Sequence, residues 1–138
     1  MSTLGTIGRY LYALPFMVFG LLHFINGPAM AGMVPIPGGV LWVYLTGIAF
    51  IAASVAIMTG KMASLASALL GVMLLIFVLT IHVPGVMGAA DQAAMQMSMT
   101  NLLKDAALAG GAWFIAGVMA VREKTVAGVR PTEESAAV

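Results

Sequence analysis

Cysteine is absent from the 138 residues, and charged side chains are scarce. Membrane thiol oxidoreductases, iron–sulfur proteins and c-type haem proteins all need cysteine, so these classes are excluded. Charged residues make up 8% of the chain, whereas soluble proteins contain about 25%. The net charge of +1 gives no reason to expect nucleic acid binding. No glycine-rich phosphate loop and no HExxH pattern occurs, so nucleotide binding and zinc-protease activity have no support.

Hydrophobic residues, by contrast, make up 62% of the chain and fall into four long runs. Each run is close to the roughly 20 residues that cross a bilayer core as a helix. The runs are residues 7–25, 38–58, 63–83 and 102–121. A soluble bundle would need a charged outer face on every helix, and none is present. The sequence therefore predicts an all-α, polytopic membrane protein: one four-helix transmembrane bundle, followed by a flexible cytoplasmic tail over residues 122–138.

The positions of the basic residues predict the orientation. All of them except Lys104 fall on one side of the four-span arrangement: Arg9, Lys61, Arg122, Lys124 and Arg130. The connections 26–37 and 84–101 contain no Lys or Arg. The positive-inside rule then places both termini in the cytoplasm and these two longer connections outside. The lipid bilayer is the first expected partner.

Four ionisable residues stand at the ends of the apolar runs. His23 ends the first span and His82 the third, while Lys104 and Asp105 open the fourth. In the predicted topology all four lie at the outer end. Singly, they are explained as solvated histidines, a lysine that reaches the headgroups and an aspartate that stabilises the first helical turn. Together they predict a site for a small polar headgroup, a quinone or a proton path. Adjacent helix positions point about 100° apart, so only one of Lys104 and Asp105 can face the bundle axis fully. We expect it to be Asp105, with Lys104 at the rim.

Three further residues are candidates for ligand binding. Trp42 and Tyr44, near the start of the second span, fall in the same layer as His23, although interfacial anchoring explains them equally well. Arg9 precedes His23 by fourteen residues, or about four helical turns. It therefore shares a face with His23 but lies at the opposite end, where we expect it to face the interior and bond to carbonyls or to another helix.

A methionine run lies in the second outer connection. Met95, Met97 and Met99 form an MxMxM pattern, and thioethers are ligands that suit Cu(I). The same stretch is also typical of an amphipathic segment lying on the membrane. We treat the three methionines as a weak metal-site candidate only.

Short motifs in a fixed order resemble the DoxX family from about Gly8 to Gly117. They are Gly8-Arg9, Gly20-Leu21-Leu22-His23-Phe24, Val34-Pro35, Thr46-Gly47, Ile81-His82-Val83-Pro84 and Leu103-Lys104-Asp105. The resemblance implies a multi-pass bacterial inner-membrane protein with four helices. Some members are tied to quinone-linked oxidation of sulfur compounds such as thiosulfate, and others to thiol-stress complexes. The polar positions of the family fall on Arg9, His23, His82, Lys104 and Asp105; many members have Lys where His23 stands here.

Two functional classes follow as hypotheses. The first is a redox-linked membrane subunit associated with quinone, with protons exchanged at a site formed by His23, His82 and Asp105. Its cofactor-binding residues would be Arg9, Trp42, Tyr44 and Lys104. The second is a non-catalytic accessory or assembly subunit that docks on a larger membrane complex or on further copies of itself. The chain supplies no electron carrier, so no haem, iron–sulfur cluster or nucleotide is expected.

Overall fold

The computed structural model describes residues 2–129, and all regular secondary structure in this part of the chain is helical, without strands. In chain order the helices are α1 (Thr3–Ile25), α2 (Gly27–Met30), α3 (Val40–Thr59), α4 (Ala63–Phe77), α5 (Val83–Met87) and α6 (Gln92–Val129). A 3₁₀ turn, Ala31–Met33, follows α2, and a π-helical turn, Val78–His82, joins α4 to α5. Four helical stretches are long and apolar enough to cross a bilayer: α1, α3, α6 and the continuous stretch Ala63–Met87. The prediction of an all-α bundle with four spans is confirmed, and the chain is a multi-pass membrane protein.

The last helix is longer at both ends than the sequence predicted. Residues 92–101, predicted as part of a connection, form its first turns, because Asp91 caps the helix through a 2.7 Å hydrogen bond from Ala94 N–H. Residues 122–129, predicted as part of a flexible tail, are also helical. No proline interrupts the chain between Gln92 and Val129, so nothing stops the helix at the membrane boundary. Residues 130–138 of the predicted tail lie outside the described part.

The bundle consists of two closely packed helix pairs, α1 with α3 and α4 with α6. Glycines allow the close approach: a Cβ at Gly20 of α1 would lie 2.8 Å from the Gly47 carbonyl oxygen of α3. In the other pair, a Cβ at Gly71 of α4 would lie 3.2 Å from the Ala109 carbonyl oxygen of α6. Small residues at such contacts are the usual basis of helix packing in membranes.

Side-chain hydrogen bonds add cross-links between the helices. The buried Ser54 hydroxyl donates to the Ala13 carbonyl at 2.8 Å and ties α3 to α1. The Tyr12 hydroxyl donates to the Leu108 carbonyl and ties α1 to α6. An apolar core that includes Phe16, Phe50, Ile57, Leu70 and Leu74 fills the interior. The two ends of the bundle remain polar: we call them the histidine end, with His23, His82 and Asp105, and the arginine end, with Arg9, Gly60 and Arg122.

Candidate functional site

The polar residues of the histidine end form a bonded cluster around one carboxylate. His82 Nε2 lies 2.9 Å from Asp105 Oδ2, and Lys104 Nζ lies 3.4 Å from Asp105 Oδ1. The Asp105 side chain is only 9% exposed, whereas that of Lys104 is 45% exposed. The prediction that Asp105 faces inward while Lys104 stands at the rim is confirmed. Both carboxylate oxygens are thus occupied, one by each basic neighbour.

A local distortion of the third span carries His82. Its backbone takes one π-helical turn over Val78–His82, in which the Val83 N–H bonds to the Val78 carbonyl, five residues back. Pro84 explains the position of this turn, because its ring lacks an N–H and clashes with the carbonyl four residues before it. Such turns are rare and occur frequently at functional sites. The Pro84 signal was present in the sequence, but its effect on the orientation of His82 was not predictable from it.

His23 lies at the end of α1, and its tautomer is defined by its backbone contact. Nδ1 lies 2.7 Å from the Phe19 carbonyl oxygen, which can only accept, so Nδ1 carries the proton. The ring packs edge-on against Phe50, with centroids 5.3 Å apart. Gly47 makes room for it, since a Cβ there would lie 3.0 Å from His23 Cβ. In the neutral ring, Nε2 of His23 is left with a lone pair.

Lys104 is held at the rim by three contacts. Besides Asp105, its ammonium donates to Asn101 Oδ1 at 3.3 Å and lies 5.5 Å from the centre of the Phe19 ring. An ammonium group has three N–H donors, and the two polar neighbours use two of them. One N–H donor therefore remains for a ligand oxygen.

These groups line a cavity of about 720 Å³ at the histidine end. Its polar lining consists of His23, Thr46, Thr80, His82, Asn101, Lys104 and Asp105. The rest of the wall is mainly apolar and comes from α1, α3, α4 and the segment 30–36, with Ile81 of the π turn and Leu108 of α6. The volume lies within the range of about 300–1,000 Å³ that is usual for small-molecule sites. The cavity is thus an apolar chamber with charged and hydrogen-bonding groups on part of its wall.

Of the two aromatic residues predicted to bind a ligand, Trp42 and Tyr44, only Trp42 lines the cavity. Trp42 lines the cavity, but its indole N–H is already used on the Pro37 carbonyl at 2.7 Å, so it offers only its ring. Tyr44 does not line the cavity; it stacks on Phe24 with ring centres 5.6 Å apart. The two residues are two positions apart and point to different sides of α3, which corrects the shared role predicted for them.

Arg9 is also separated from this site, which corrects its assignment as a residue that binds the same cofactor. At 1.5 Å per residue it lies about 21 Å from His23 along α1. Its predicted hydrogen bonds are also wrong for two atoms, because Nε and Nη1 are buried without a partner among residues 2–129. Arg9 belongs to the arginine end.

The methionine run does not form the arrangement that a copper site would need. Met95, Met97 and Met99 lie on the first turns of α6 and are all exposed. Positions two apart on a helix point to nearly opposite sides, so Met97 faces away from the other two. The three thioethers of one chain therefore cannot converge on one ion.

Three polar residues of the cavity, Thr46, Thr80 and Asn101, were missed by the sequence reasoning as site candidates. Asn101 precedes Lys104 by three positions on α6 and so shares its face, a relationship visible only once the helix is known to begin at Gln92. Thr80 lies within the π turn, and its hydroxyl bonds to the Ile76 carbonyl at 2.7 Å. Neither residue type stands out in a sequence scan for titratable groups.

The arrangement can hold a proton at a defined atom. The carboxylate of Asp105 accepts from His82 Nε2–H, which leaves Nδ1 of the neutral ring as the atom that can take up a proton. A carboxylate that orients a histidine in this way also stabilises the positively charged ring. Comparison of the chain with protein-family models, with curated proteins and with solved structures gave no match.

Proposed function

We propose that this protein is a DoxX-like integral membrane subunit of the bacterial inner membrane that binds a quinone at the histidine end. In this role it serves quinone-linked electron and proton transfer. The observation that carries the proposal is the His82–Asp105–Lys104 cluster on the wall of an otherwise apolar cavity. A quinone combines polar and apolar parts in the same way: its carbonyl oxygens need hydrogen-bond donors, and its ring and tail need an apolar surface.

The residues of the cavity fit such a headgroup. Lys104 has one N–H donor left, and the Asn101 amide adds two more. Aromatic side chains, among them Phe16, Phe19 and Phe77, supply the apolar wall. A bound quinone would supply the capacity to take up two electrons and two protons. The electrons would come from a partner subunit with a redox centre, because the chain has no cysteine with which to hold an iron–sulfur cluster.

The chain's own residues would then hold and move the proton. Asp105 keeps the His82 ring in one orientation, and Nδ1 exchanges the proton with a ligand oxygen. Lys104 orients that oxygen and offsets negative charge on it. His23, with Nδ1 fixed on the Phe19 carbonyl, offers Nε2 as a second exchange atom.

Access from the lipid phase supports a membrane-soluble ligand over a water-soluble one. Leu45 of α3 and Ile76 of α4 both line the cavity and are 45% and 51% exposed. They lie about equally far along the chain from the α3–α4 turn at Gly60, so they stand at one level of the bundle. We propose that a quinone with an isoprenoid tail enters beside these two exposed side chains, at the depth of the acyl chains.

The two tryptophans allow a direct test of binding. Trp42 lines the cavity, whereas Trp113 bonds to the Ala68 carbonyl on α4 and does not line it. We expect ubiquinone-1, titrated into purified Trp113→Phe protein, to quench the fluorescence of Trp42 with saturation. The matched Trp42→Phe protein should show only weak, unsaturable quenching of Trp113. Equal quenching in both would mean simple partitioning into the detergent and would exclude the site.

One observation favours the accessory role as a second candidate. Met95, Met97 and Met99 present 37%, 68% and 41% of their surface on the first turns of α6. Flexible thioethers suit adaptable contacts with another protein. If the protein is an accessory subunit, Met95→Gln with Met97→Gln should reduce copurification of the partner in mild detergent while ubiquinone-1 binding stays unchanged. The control is Val55→Gln, which introduces the same polar group on the exposed face of α3.

A further inference from the structure

The arginine end contains a partly buried cation, Arg9, with two nitrogen atoms whose N–H donors are buried and unused. Arg9 Nε and Nη1 are shielded from solvent and have no hydrogen-bond partner among residues 2–129. The guanidinium lies 5.6 Å from the centre of the Tyr10 ring, a contact that does not use its N–H groups. Unmade hydrogen bonds of a buried charged group are costly, and guanidinium has five donors and no acceptor. The Arg9 guanidinium therefore needs a hydrogen-bond acceptor that the described helices do not provide.

A second guanidinium approaches the same point from another helix. A Cβ at Gly60 would lie 3.0 Å from Arg9 Nη1 and 3.7 Å from Arg122 Nη1. Gly60 has the left-handed backbone that ends α3, with φ of 76°, and its missing side chain leaves this space open. Two cations from α1 and α6 thus converge beside one glycine.

A cavity of about 580 Å³ adjoins this point. Gly60, Lys61, Arg122 and Glu123 contribute its polar wall. Glu123 turns its charge toward α4, since its Oε1 accepts from the Ser64 N–H at 3.2 Å. Its apolar wall includes Met62, Met119 and Val126. At this end of residues 2–129 the cations are Arg9, Lys61, Arg122 and Lys124, against the single carboxylate of Glu123.

We propose that the arginine end binds a phosphate group, which Arg9 and Arg122 hold from two sides and Lys61 attracts. Guanidinium forks match phosphate oxygens geometrically and form charge-assisted hydrogen bonds with them. The phosphate belongs either to the headgroup of an anionic lipid or to free phosphate. Basic pockets at the ends of transmembrane helices take lipid headgroups, and the methionines and Val126 give acyl chains an apolar surface. This site is separate from the quinone cavity and does not depend on it.

The test uses the purified full-length protein and two phosphate sources. Dioleoyl-phosphatidylglycerol is added to the detergent micelles, with dioleoylglycerol as the control that has the same chains but no phosphate. Inorganic phosphate is compared with chloride at equal ionic strength. Binding is followed by the rise in thermal unfolding temperature. We expect saturable stabilisation by at least one phosphate source and none by dioleoylglycerol or chloride.

Three variants decide whether the site is the one described. Arg9→Gln and Arg122→Gln should each weaken binding about tenfold, the loss expected for one charge-assisted contact. Lys124→Gln removes the same unit charge from α6 outside the cavity lining and should change binding less than twofold. If Arg9→Gln does not fold, Arg122→Gln alone decides, because Arg122 is exposed.

The outcomes separate cleanly. Stabilisation by the lipid alone, lost in the arginine variants, identifies a headgroup site. The same losses with inorganic phosphate alone identify a free-phosphate site, and both results support the proposal. Absence of stabilisation by either source overturns it. An equal loss in Lys124→Gln also overturns it, because net charge would then be the only cause.

Discussion

His82 Nε2 and Asp105 Oδ2 lie 2.9 Å apart, although the two residues belong to different spans and are 23 positions apart in the chain. The other oxygen of the same carboxylate faces Lys104 at 3.4 Å. Asp105 is the only acidic group in this cluster, so it alone supplies the counter-charge for both basic neighbours. The first two predictions follow from this arrangement.

Removing the shared carboxylate should destabilise the bundle more than removing its exposed partner. Asp105→Asn leaves His82 and Lys104 without their counter-charge, and we expect a loss of about 1–3 kcal/mol in the free energy of unfolding. Lys104 is 45% exposed and its charge is screened, so Lys104→Gln should cost less than about 1 kcal/mol. Equilibrium unfolding in mixed detergent and SDS micelles measures both. Equal losses would contradict the central place of Asp105 in the cluster.

Replacing His82 tests the proposed proton transfer. His82→Phe fills the volume of the imidazole and removes its titratable group, so quinone-dependent activity should vanish while the apolar bundle still folds. The measurement is quinol formation by membranes that contain the variant and its native partner. Tyr44→Phe is the matched control, because Tyr44 lies in the same layer but stacks on Phe24 outside the cavity. Unchanged quinol formation in His82→Phe would refute the redox role.

The close packing of α4 on α6 should depend on Gly71. A Cβ added at Gly71 would collide with the Trp113 indole and lie 3.2 Å from the Ala109 carbonyl oxygen. Gly71→Ala should therefore lower the free energy of unfolding by about 1–3 kcal/mol. Gly110 lies on α6, and a Cβ added there would have nothing within 4 Å. Gly110→Ala should therefore gain about 0.5–1 kcal/mol from helix propensity. The same micelle titration compares them, and similar signs for both would contradict the packing argument.

The orientation in the membrane can be tested by labelling single introduced cysteines, because the chain has no native cysteine that must first be replaced. Thr59→Cys lies at the arginine end and Met97→Cys at the histidine end, and both positions are exposed. If the arginine end is cytoplasmic, a membrane-impermeant maleimide should label Met97→Cys in intact cells. Thr59→Cys should react only after the membrane is opened. The reverse labelling pattern would invert the topology.

The sequence alone was sufficient to predict those features of the protein that depend on depth in the membrane. The lengths of the apolar runs predict four spans, and a constant rise per residue then places His23, His82, Lys104 and Asp105 in one layer. That only one of Lys104 and Asp105 faces the bundle axis also followed, because adjacent helix positions point about 100° apart. The packing of the helices decided that it is Asp105. The limits of α6 did not follow, because hydropathy marks where a helix leaves the membrane and not where it ends.

What only the tertiary structure decided is rotation about the helix axes and the contacts between helices. Trp42 and Tyr44 share a layer in the sequence, yet one lines the cavity and the other packs on Phe24. The bond between His82 and Asp105 depends on a π turn that shifts the register of every residue after Val78. The meeting of Arg9 with Arg122 beside Gly60 depends on how α1, α3 and α6 pack. Hydrophobicity sets a residue's depth along the membrane normal, whereas its facing direction depends on packing against neighbours that lie far away in the chain.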